Sequence, residues 1–314
     1  MTDPNLTVIL PLMKSLQDFN KRFPTEESCI AHLKNTRFKD GLFCPHCGKR
    51  HIYEFSDNKT YKCADCRQKF TVRTGTIFGE SKLPLYKWFL AIYLLSSCKK
   101  GISSVQLAEQ LGVTQKTAWF LNHRIRDTYN NNKNQLSGEV EVDEHYVGGK
   151  EKNKHASKKV KGTQGRSTKT KTPVVGVVER KGSVVARAVE SVNSEVLKNI
   201  IKGSVRRGTK VFADEYPAYN GIVRPEHRVN HSAGKYVIGI AHTNTIESFW
   251  ALFKRGYIGI YHYMSRKHLQ RYLNEFSARY NLREDNAGDR FFAWFDNLGV
   301  PLSYKRLHCC PVKI

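Results

Sequence analysis

Two C-x2-C cysteine pairs constrain what this chain can fold into more than any other feature. Cys44 and Cys47 form the first pair, and Cys63 and Cys66 form the second after fifteen intervening residues. Thiolates spaced this way reach one ion from a tight turn, and two turns supply the tetrahedral sulfur shell that zinc prefers. Gly48 allows the positive φ of the first turn. The spacing predicts a closed structural zinc site, with an iron–sulfur site or four unrelated thiols as alternatives.

Short alternating segments flank the cysteine pairs. His51–Phe55 lies between the pairs and Gln68–Val72 follows the second. Alternation of this kind is typical of short strands. The segments favour a zinc ribbon, in which the metal folds the module and does no chemistry.

The charge of the chain indicates the kind of partner. The 52 Lys and Arg outnumber the 28 Asp and Glu, a net charge of +24 over 314 residues. Such an excess favours nucleic acid, with a membrane surface as the competitor. We find no run of 18 apolar residues and no signal peptide in the sequence. We therefore expect a soluble cytoplasmic protein, associated with the nucleoid.

A helix-turn-helix pattern occupies residues 102–119. Ser103 or Ser104 caps a first short helix, Gly112 permits the turn, and Thr114 caps the second helix. An ordinary helical hairpin is the alternative; the basic chain favours DNA binding. The side chains of the second helix that suit a DNA groove are Gln115, Lys116, His123, Arg124 and Arg126.

The sequence pattern changes from one typical of helices to one typical of strands at Glu139. Three strands, a helix, a strand and two long helices then follow, an order that suits an α/β sheet flanked by helices. The predicted elements are Glu139–Glu144, Thr172–Val178, Val184–Val189, Ser194–Ile201, Thr209–Ala213, Thr245–Lys254 and Ser265–Tyr280.

A basic segment interrupts this series at residues 150–172. It contains Gly and Ser but almost no apolar residues, so we expect a mobile loop between strands. A solvated run of charge is the plain alternative to DNA binding. The lysines that we single out as DNA contacts are Lys158, Lys159 and Lys161.

Three acidic residues are candidates for a catalytic metal site. Asp143 is expected to close one strand, Asp214 to close another, and Glu247 to begin a helix with Lys254 seven residues later. Two close carboxylates need a cation, and Mg²⁺ is the hard, oxygen-seeking choice. Two such ions can drive an in-line displacement at phosphorus. Spacing alone leaves several rivals open, namely Glu139, Glu141, Glu144 and Glu215.

Several stretches resemble the DDE transposases of bacterial insertion sequences that begin with a zinc ribbon and are related to the Merlin transposons. The resemblance covers residues 25–290. The stretches that carry it are Cys44–Gly48, Val142–Lys150, Lys171–Gly176, Asp214–Tyr219, His242–Trp250 and Arg271–Phe276.

The resemblance implies an α/β RNase H-like catalytic core, Mg²⁺, and DNA cleavage with strand transfer at terminal inverted repeats. Carried over to this chain, it makes Asp143 and Asp214 the first two metal ligands. Members of the group have either Asn or Glu at the third position, and this motif offers both Asn244 and Glu247. We favour Glu247 because its charge helps to neutralise the metal, and Lys254 lies at the expected spacing.

The leading interpretation is a DNA transposase that works as a homo-oligomer on double-stranded DNA. A zinc-ribbon transcription regulator without catalysis and a structure-specific nuclease are the alternatives. The predicted organisation is a helical lead (1–40), a zinc ribbon (41–74), a helix-turn-helix region (75–135), a catalytic domain (136–295) and a C-terminal tail (296–314).

Overall fold

The structure is a computed structural model, and it describes residues 13–129, 135–149, 151–163, 165, 167–229 and 241–309. The chain divides into two compact units. The first holds the described residues of 1–98, 107–121 and 284–301, and the second holds those of 99–106, 122–283 and 302–309. Parts of the predicted lead, basic loop and tail lie outside the described residues, as do the loop residues Lys150 and Arg166.

The first unit is built from capped helices around an aromatic core. Ser15 and Asp18 cap α1 reciprocally, and Thr25 caps α2. Phe19 and Phe89 are fully buried in the core. The helices of this part are α1 (Leu16–Arg22), α2 (Glu26–Arg37) and α3 (Leu85–Ser97).

A three-stranded antiparallel sheet follows α2 and carries the cysteine pairs. Its strands are β1 (Ile52–Glu54), β2 (Thr60–Cys63) and β3 (Lys69–Thr71), in that order across the sheet. The two predicted alternating segments are confirmed as β1 and β3.

The helix-turn-helix pattern forms α4 (Ser104–Leu111) and α5 (Gln115–Thr128). The Ser103 hydroxyl accepts a hydrogen bond from the Gln106 N–H, and the Thr114 hydroxyl accepts one from the Thr117 N–H. Gly112 between the helices has a φ of +58°, the left-handed conformation that ends α4.

The second unit is built around a five-stranded mixed sheet. β4 (Glu139–Val147) pairs antiparallel with β5 (Thr172–Glu179), which pairs antiparallel with β6 (Val184–Ala188). On its other side β4 pairs parallel with β7 (Lys210–Asp214), which pairs parallel with β8 (Arg228–Val229). The order across the sheet is β6-β5-β4-β7-β8.

Helices cover both faces of this sheet. Between β6 and β7 lies α6 (Ser194–Ser204), and after β8 come α7 (Asn244–Gly256) and α8 (Leu269–Asn281). One buried cluster joins the sheet to α7 and α8, and another joins it to α6. Successive residues along a strand belong to different clusters, because successive side chains point to opposite faces of the sheet. The expected mixed sheet flanked by helices is confirmed.

Two short helices complete the chain. α9 (Ala287–Trp294) belongs to the first unit, and α10 (Tyr304–Cys309) belongs to the second. None of the helices in the described parts of the chain has the length and apolar character needed to span a membrane.

Candidate metal centres and the acidic site

The four cysteines of the two C-x2-C pairs meet at one point. Their sulfur atoms all lie within 4.8 Å of one another, and Cys44 to Cys66 and Cys47 to Cys63 are each 3.6 Å apart. A tetrahedral zinc–thiolate shell places its sulfurs about 3.8 Å apart, since each zinc–sulfur bond is about 2.3 Å long. Gly48, with a φ of +77°, forms the predicted tight turn. The cluster fits a structural zinc ion.

Asp143 and Asp214 lie side by side because of the register of β4 and β7. The last parallel pair joins Glu141 to Phe212, and each aspartate follows its member of that pair by two residues. Both side chains therefore leave the sheet on the same face. Convergence of these two residues is what the sequence predicts from their places on neighbouring strands.

The expectation that Asp143 closes its strand is wrong. β4 continues to Val147, because β5 pairs with it as far as Val147 and Thr172. The pairing of β4 with β7 stops earlier, at Glu141. Asp143 thus lies mid-strand beside β5 and just beyond the paired part of β7, where its carboxylate can reach Asp214.

Glu144 completes a group of three carboxylates. Asp143, Glu144 and Asp214 each place an oxygen within 4.8 Å of the others. The Tyr219 hydroxyl donates a hydrogen bond of 3.2 Å to Glu144 Oε2, and both residues are buried. Sequence reasoning kept Glu144 only as a rival, and it gave Tyr219 no role although both belong to the motifs of the resemblance.

Electrostatics explain why this group is suited to a cation. Burial, followed by the charges of Glu144 and Asp214, raises the pKa of Asp143 well above its usual range, and Glu247 acts in the same direction. Clustered carboxylates are costly to keep ionised without a counter-charge. A divalent cation with oxygen ligands supplies that charge, so the donor set fits Mg²⁺.

Glu247 and Asn244, the rivals for the third position, both lie exposed in the first turn of α7. The Thr243 hydroxyl donates a 3.1 Å hydrogen bond to Glu247 Oε1. The Asn244 carbonyl accepts one from the Ser248 hydroxyl. Glu247 is close enough for its charge to act on Asp143, but it is not one of the three grouped carboxylates.

Glu141 anchors the start of α7 to β4. Its fully buried carboxylate accepts hydrogen bonds from the backbone N–H groups of Thr245 at 2.8 Å and Ile246 at 3.0 Å. Arg180 Nε donates to the same carboxylate at 2.7 Å, and its Nη2 donates to the His242 carbonyl at 3.0 Å. Glu141 is therefore committed to holding the helix that carries Glu247.

Glu139, the other alternative metal ligand on this face of β4, also pairs with Arg180. Arg180 Nη1 donates to Glu139 Oε2 at 2.8 Å, and the Arg180 guanidinium lies 4.3 Å from the centre of the Phe212 ring. No sequence motif pointed to Arg180, because its partners lie on distant segments of the chain.

Two family models match the two parts of the chain just described. The model described as an ISXO2-like transposase domain matches residues 135–281, and the model described as a transposase zinc-ribbon domain matches residues 24–69. The chain therefore resembles insertion-sequence transposases over both matched segments. The matched segments contain the carboxylate group and the four clustered cysteines.

A curated relative agrees with this resemblance. This chain is 28% identical over 273 residues to an uncharacterized protein in transposable element ISH50 of Halobacterium salinarum, and the match covers 82% of this chain and 92% of that protein.

Two solved structures give weaker likenesses. The Mos1 transposase paired-end complex with left transposon end is 14% identical, covers 71% of this chain and 77% of its own, and has a TM-score of 0.26. The Mos1 strand transfer complex is 13% identical, covers 64% and 78%, and has a TM-score of 0.19. The likeness to transposases therefore depends on the two family models and the halobacterial relative.

Lys254 lies two turns beyond Glu247 on α7 and is exposed. Burial, followed by the charges of Lys254 and Lys171, lowers the pKa of His145 to about 4. His145 stacks on Trp250 with ring centres 5.4 Å apart. Since His145 follows Asp143 by two residues on the same face, the charge of Lys254 reaches the neighbourhood of the acidic site.

The residues expected to bind DNA fall into two groups. Gln115 and Lys116 at the start of α5, and the three loop lysines, are exposed as a DNA contact requires. Arg124 is only 4% exposed, because the second half of α5 is buried. We therefore leave Arg124 out of the proposed DNA contacts. The exposed loop lysines are Lys158, Lys159 and Lys161.

His123 and Arg126, also expected in a DNA groove, are buried with Arg124. Arg126 Nε lies 2.5 Å from an oxygen of Glu275, whose side chain is fully buried. The His123 ring lies 4.7 Å from that of His268. The end of α5 therefore faces the protein interior rather than a DNA groove, and Arg126 meets a partner on α8 that the sequence did not identify.

Proposed function

We propose that this chain is an active transposase that binds the terminal inverted repeats of its element and catalyses metal-dependent DNA cleavage and strand transfer. The observation that carries the proposal is the convergence of Asp143 and Asp214 on one face of the sheet, inside the segment matched by the ISXO2-like transposase domain. The match to the transposase domain supports a transposase, and the carboxylate group supports a metal-dependent one.

The metal-binding roles follow from the placement of the acids. Asp143 and Asp214 would hold Mg²⁺, with Glu247 or Asn244 as the third ligand from α7. Two bound Mg²⁺ ions supply an activated water or 3′-hydroxyl and a counter-charge for the leaving oxygen. The protein itself would hold these carboxylates in position before DNA binds. The register of β4 with β7 supports this for the two aspartates, and the Glu141 anchor of α7 supports it for the third ligand.

Glu144 is a further candidate for the same site. It belongs to the carboxylate group, and the Tyr219 hydroxyl fixes one of its oxygens. We propose that Glu144 adds negative charge that strengthens cation binding. The charge of a bound cation would in turn keep the grouped carboxylates ionised.

DNA contacts are proposed for the exposed cations and for the start of α5. We propose that Gln115 and Lys116 read the terminal repeat and that the loop lysines contact phosphates. Lys254 is proposed as a catalytic residue beside Glu247. The net charge of +24 supports this role. We further propose that the protein works in the cytoplasm on nucleoid DNA, with more than one chain on each pair of ends.

The experiment is an assay with labelled DNA that ends in the inverted repeats of the element, with and without Mg²⁺. A transposase nicks at the repeat end and joins it to a second DNA. Cutting without joining would instead identify a nuclease, and binding without cutting a regulator. Either outcome would overturn the proposal.

The third ligand is decided by three variants in the same assay. If Glu247 is the ligand, Glu247→Gln should be inactive while Asn244→Ala keeps some activity, and the reverse ranking would assign the role to Asn244. Glu144→Gln should raise the Mg²⁺ concentration needed for half-maximal activity. An unchanged Mg²⁺ requirement in Glu144→Gln would remove Glu144 from the site.

A further inference from the structure

The ribbon sheet has two faces with different roles. On the inner face, Tyr61 and Phe70 are 0% and 2% exposed, and their rings stack with centres 5.3 Å apart. The Lys34 ammonium of α2 lies 5.4 Å from the centre of the Tyr61 ring. The inner face is therefore buried and packs toward α2.

The outer face is formed by His51, Tyr53, Phe55, Lys62 and Lys69, and we call these residues the outer ribbon face. The register places Tyr53 opposite Lys62 and Lys62 opposite Lys69, so the three form one row across the sheet. Tyr53 is 57% exposed and Phe55 is 37% exposed. These two rings lie on a face that the core does not use, so both are open to a ligand.

Aromatic rings and cations alternate on this face. The Lys69 ammonium lies 5.0 Å from the centre of the Phe55 ring, and the rings of His51 and Tyr53 are 5.7 Å apart. The acidic residue within these strands, Glu54, lies on the other face and pairs with Lys34 at 2.9 Å. The outer ribbon face therefore presents ring faces and positive charge together, with no strand carboxylate among them.

We propose that the outer ribbon face binds an unpaired DNA strand, with bases stacking on Tyr53 and Phe55 and phosphates at Lys62 and Lys69. Duplex DNA shows a protein its phosphates and the edges of its bases, whereas an unpaired strand shows the flat faces of its bases as well. Tyr53 and Phe55 are two residues apart on one segment, roughly 7 Å, so each ring can take its own base. Stacking of this kind tolerates any base.

The outer ribbon face shares no residue with the acidic site. It rests on the proposed function only in that both take DNA as their ligand. The two DNA strands become unpaired wherever a repeat end is opened for cutting. A ribbon that binds one unpaired strand would therefore hold the repeat end open.

The experiment measures fluorescence anisotropy of a labelled oligothymidylate with the full zinc-loaded chain in the absence of Mg²⁺. Tyr53→Ala and Phe55→Ala should each weaken binding about 5- to 150-fold, the range for removing one ring on which a base stacks. Tyr53→Phe, which keeps the ring, should bind like the parent. Tyr263→Ala is the matched control, because Tyr263 is 72% exposed and lies outside the ribbon.

The two lysines are tested by salt. Lys62→Gln together with Lys69→Gln should reduce the slope of log affinity against log salt by about 0.7 for each phosphate that the variant no longer neutralises. Zinc content equal to that of the parent shows that each variant keeps its ribbon folded.

Two results would overturn the proposal. One is binding of oligothymidylate by the Tyr53→Ala, Phe55→Ala double variant that equals the parent's. The other is an equally weakened affinity for a blunt duplex, which would assign the surface to phosphates alone. Asp143→Asn should not change oligothymidylate binding, so failure of the catalytic proposal and failure of this one give different results.

Discussion

Arg180 donates a 2.7 Å hydrogen bond to the fully buried carboxylate of Glu141, and that carboxylate also caps the first turn of α7. The contact ties the strand that carries Asp143 to the helix that carries Glu247. Arg180 is thus a positioning residue, which touches none of the three grouped carboxylates but fixes the elements that present the acids.

Arg180→Met should lower the free energy of unfolding by about 3 to 5 kcal/mol, because it removes the guanidinium that pairs with the buried Glu141 charge. Thermal or urea unfolding monitored by circular dichroism measures this decrease. Arg207→Met, at an exposed arginine in the turn before β7, is the matched control and should stay within about 0.5 kcal/mol of the parent. Equal stability of the two variants would contradict the role of Arg180.

Gly176 sets how closely α7 approaches the sheet beside Asp143. It is the cross-strand partner of Asp143, and a Cβ there would lie 2.6 Å from Trp250 and 2.8 Å from Ile246. Gly176→Ala should push α7 outward, costing about 1 to 3 kcal/mol of stability and most of the cleavage activity.

The matched control for Gly176 is Gly203→Ala on α6, where a Cβ meets nothing within 4 Å. That substitution should be neutral or stabilising, by up to about 1 kcal/mol, since alanine favours a helix. Unfolding curves and the cleavage assay compare the two. Full activity of Gly176→Ala would show that the spacing of α7 from the sheet does not matter to the site.

The sequence predicts local elements well because their causes are local. Thr25, Ser103 and Thr114 cap the helices that begin beside them, and the C-x2-C spacing alone predicts the sulfur cluster. The convergence of Asp143 and Asp214 also follows from their places on neighbouring strands.

The remaining features depend on partners that are distant in the sequence. Glu141 meets Arg180 39 positions away and Thr245 104 positions away, and no periodicity reports such pairs. The burial of Arg126 has the same origin, because its partner Glu275 lies 149 positions away on α8. From the sequence alone, charged side chains on a helix predict a solvent-exposed face. They prove to be buried only when the residue of opposite charge that pairs with them is known.

Zinc content tests the ribbon. We expect about one zinc per chain, and Cys63→Ser should lose it and unfold the ribbon, because the metal supplies the folding energy of such modules. Elemental analysis measures the metal, and Cys98→Ser, a cysteine outside the cluster, should keep it. Iron in place of zinc, or a full zinc complement in Cys63→Ser, would contradict the assignment.

His32 should make the first unit sensitive to acid. Burial, followed by the charge of Arg22, lowers the pKa of His32 to about 4 from its ordinary value of 6.5. Its ring lies 5.1 Å from that of Phe295 and 5.3 Å from that of Phe23. The folded state therefore binds this proton less readily than the unfolded state, and stability falls as pH drops from about 6.5 toward 4.

His32→Leu should remove about 2 to 3 kcal/mol of that pH dependence, which urea unfolding at about pH 7 and about pH 4 measures. His155→Leu, at an exposed histidine of the basic loop, should leave the dependence as it is in the parent. An identical pH dependence in His32→Leu would show that His32 does not titrate between these values.

We propose that Asp143 and Asp214 form a metal-dependent catalytic site on DNA. The most direct measurement is strand transfer of a repeat-ended DNA by Asp143→Asn in Mg²⁺, with repeat binding measured on the same sample. We expect binding equal to that of the parent and a decrease in strand transfer of more than about 100-fold, because an amide keeps the shape of the side chain but cannot offset the cation charge. Strand transfer at the parent's rate by Asp143→Asn would contradict the account.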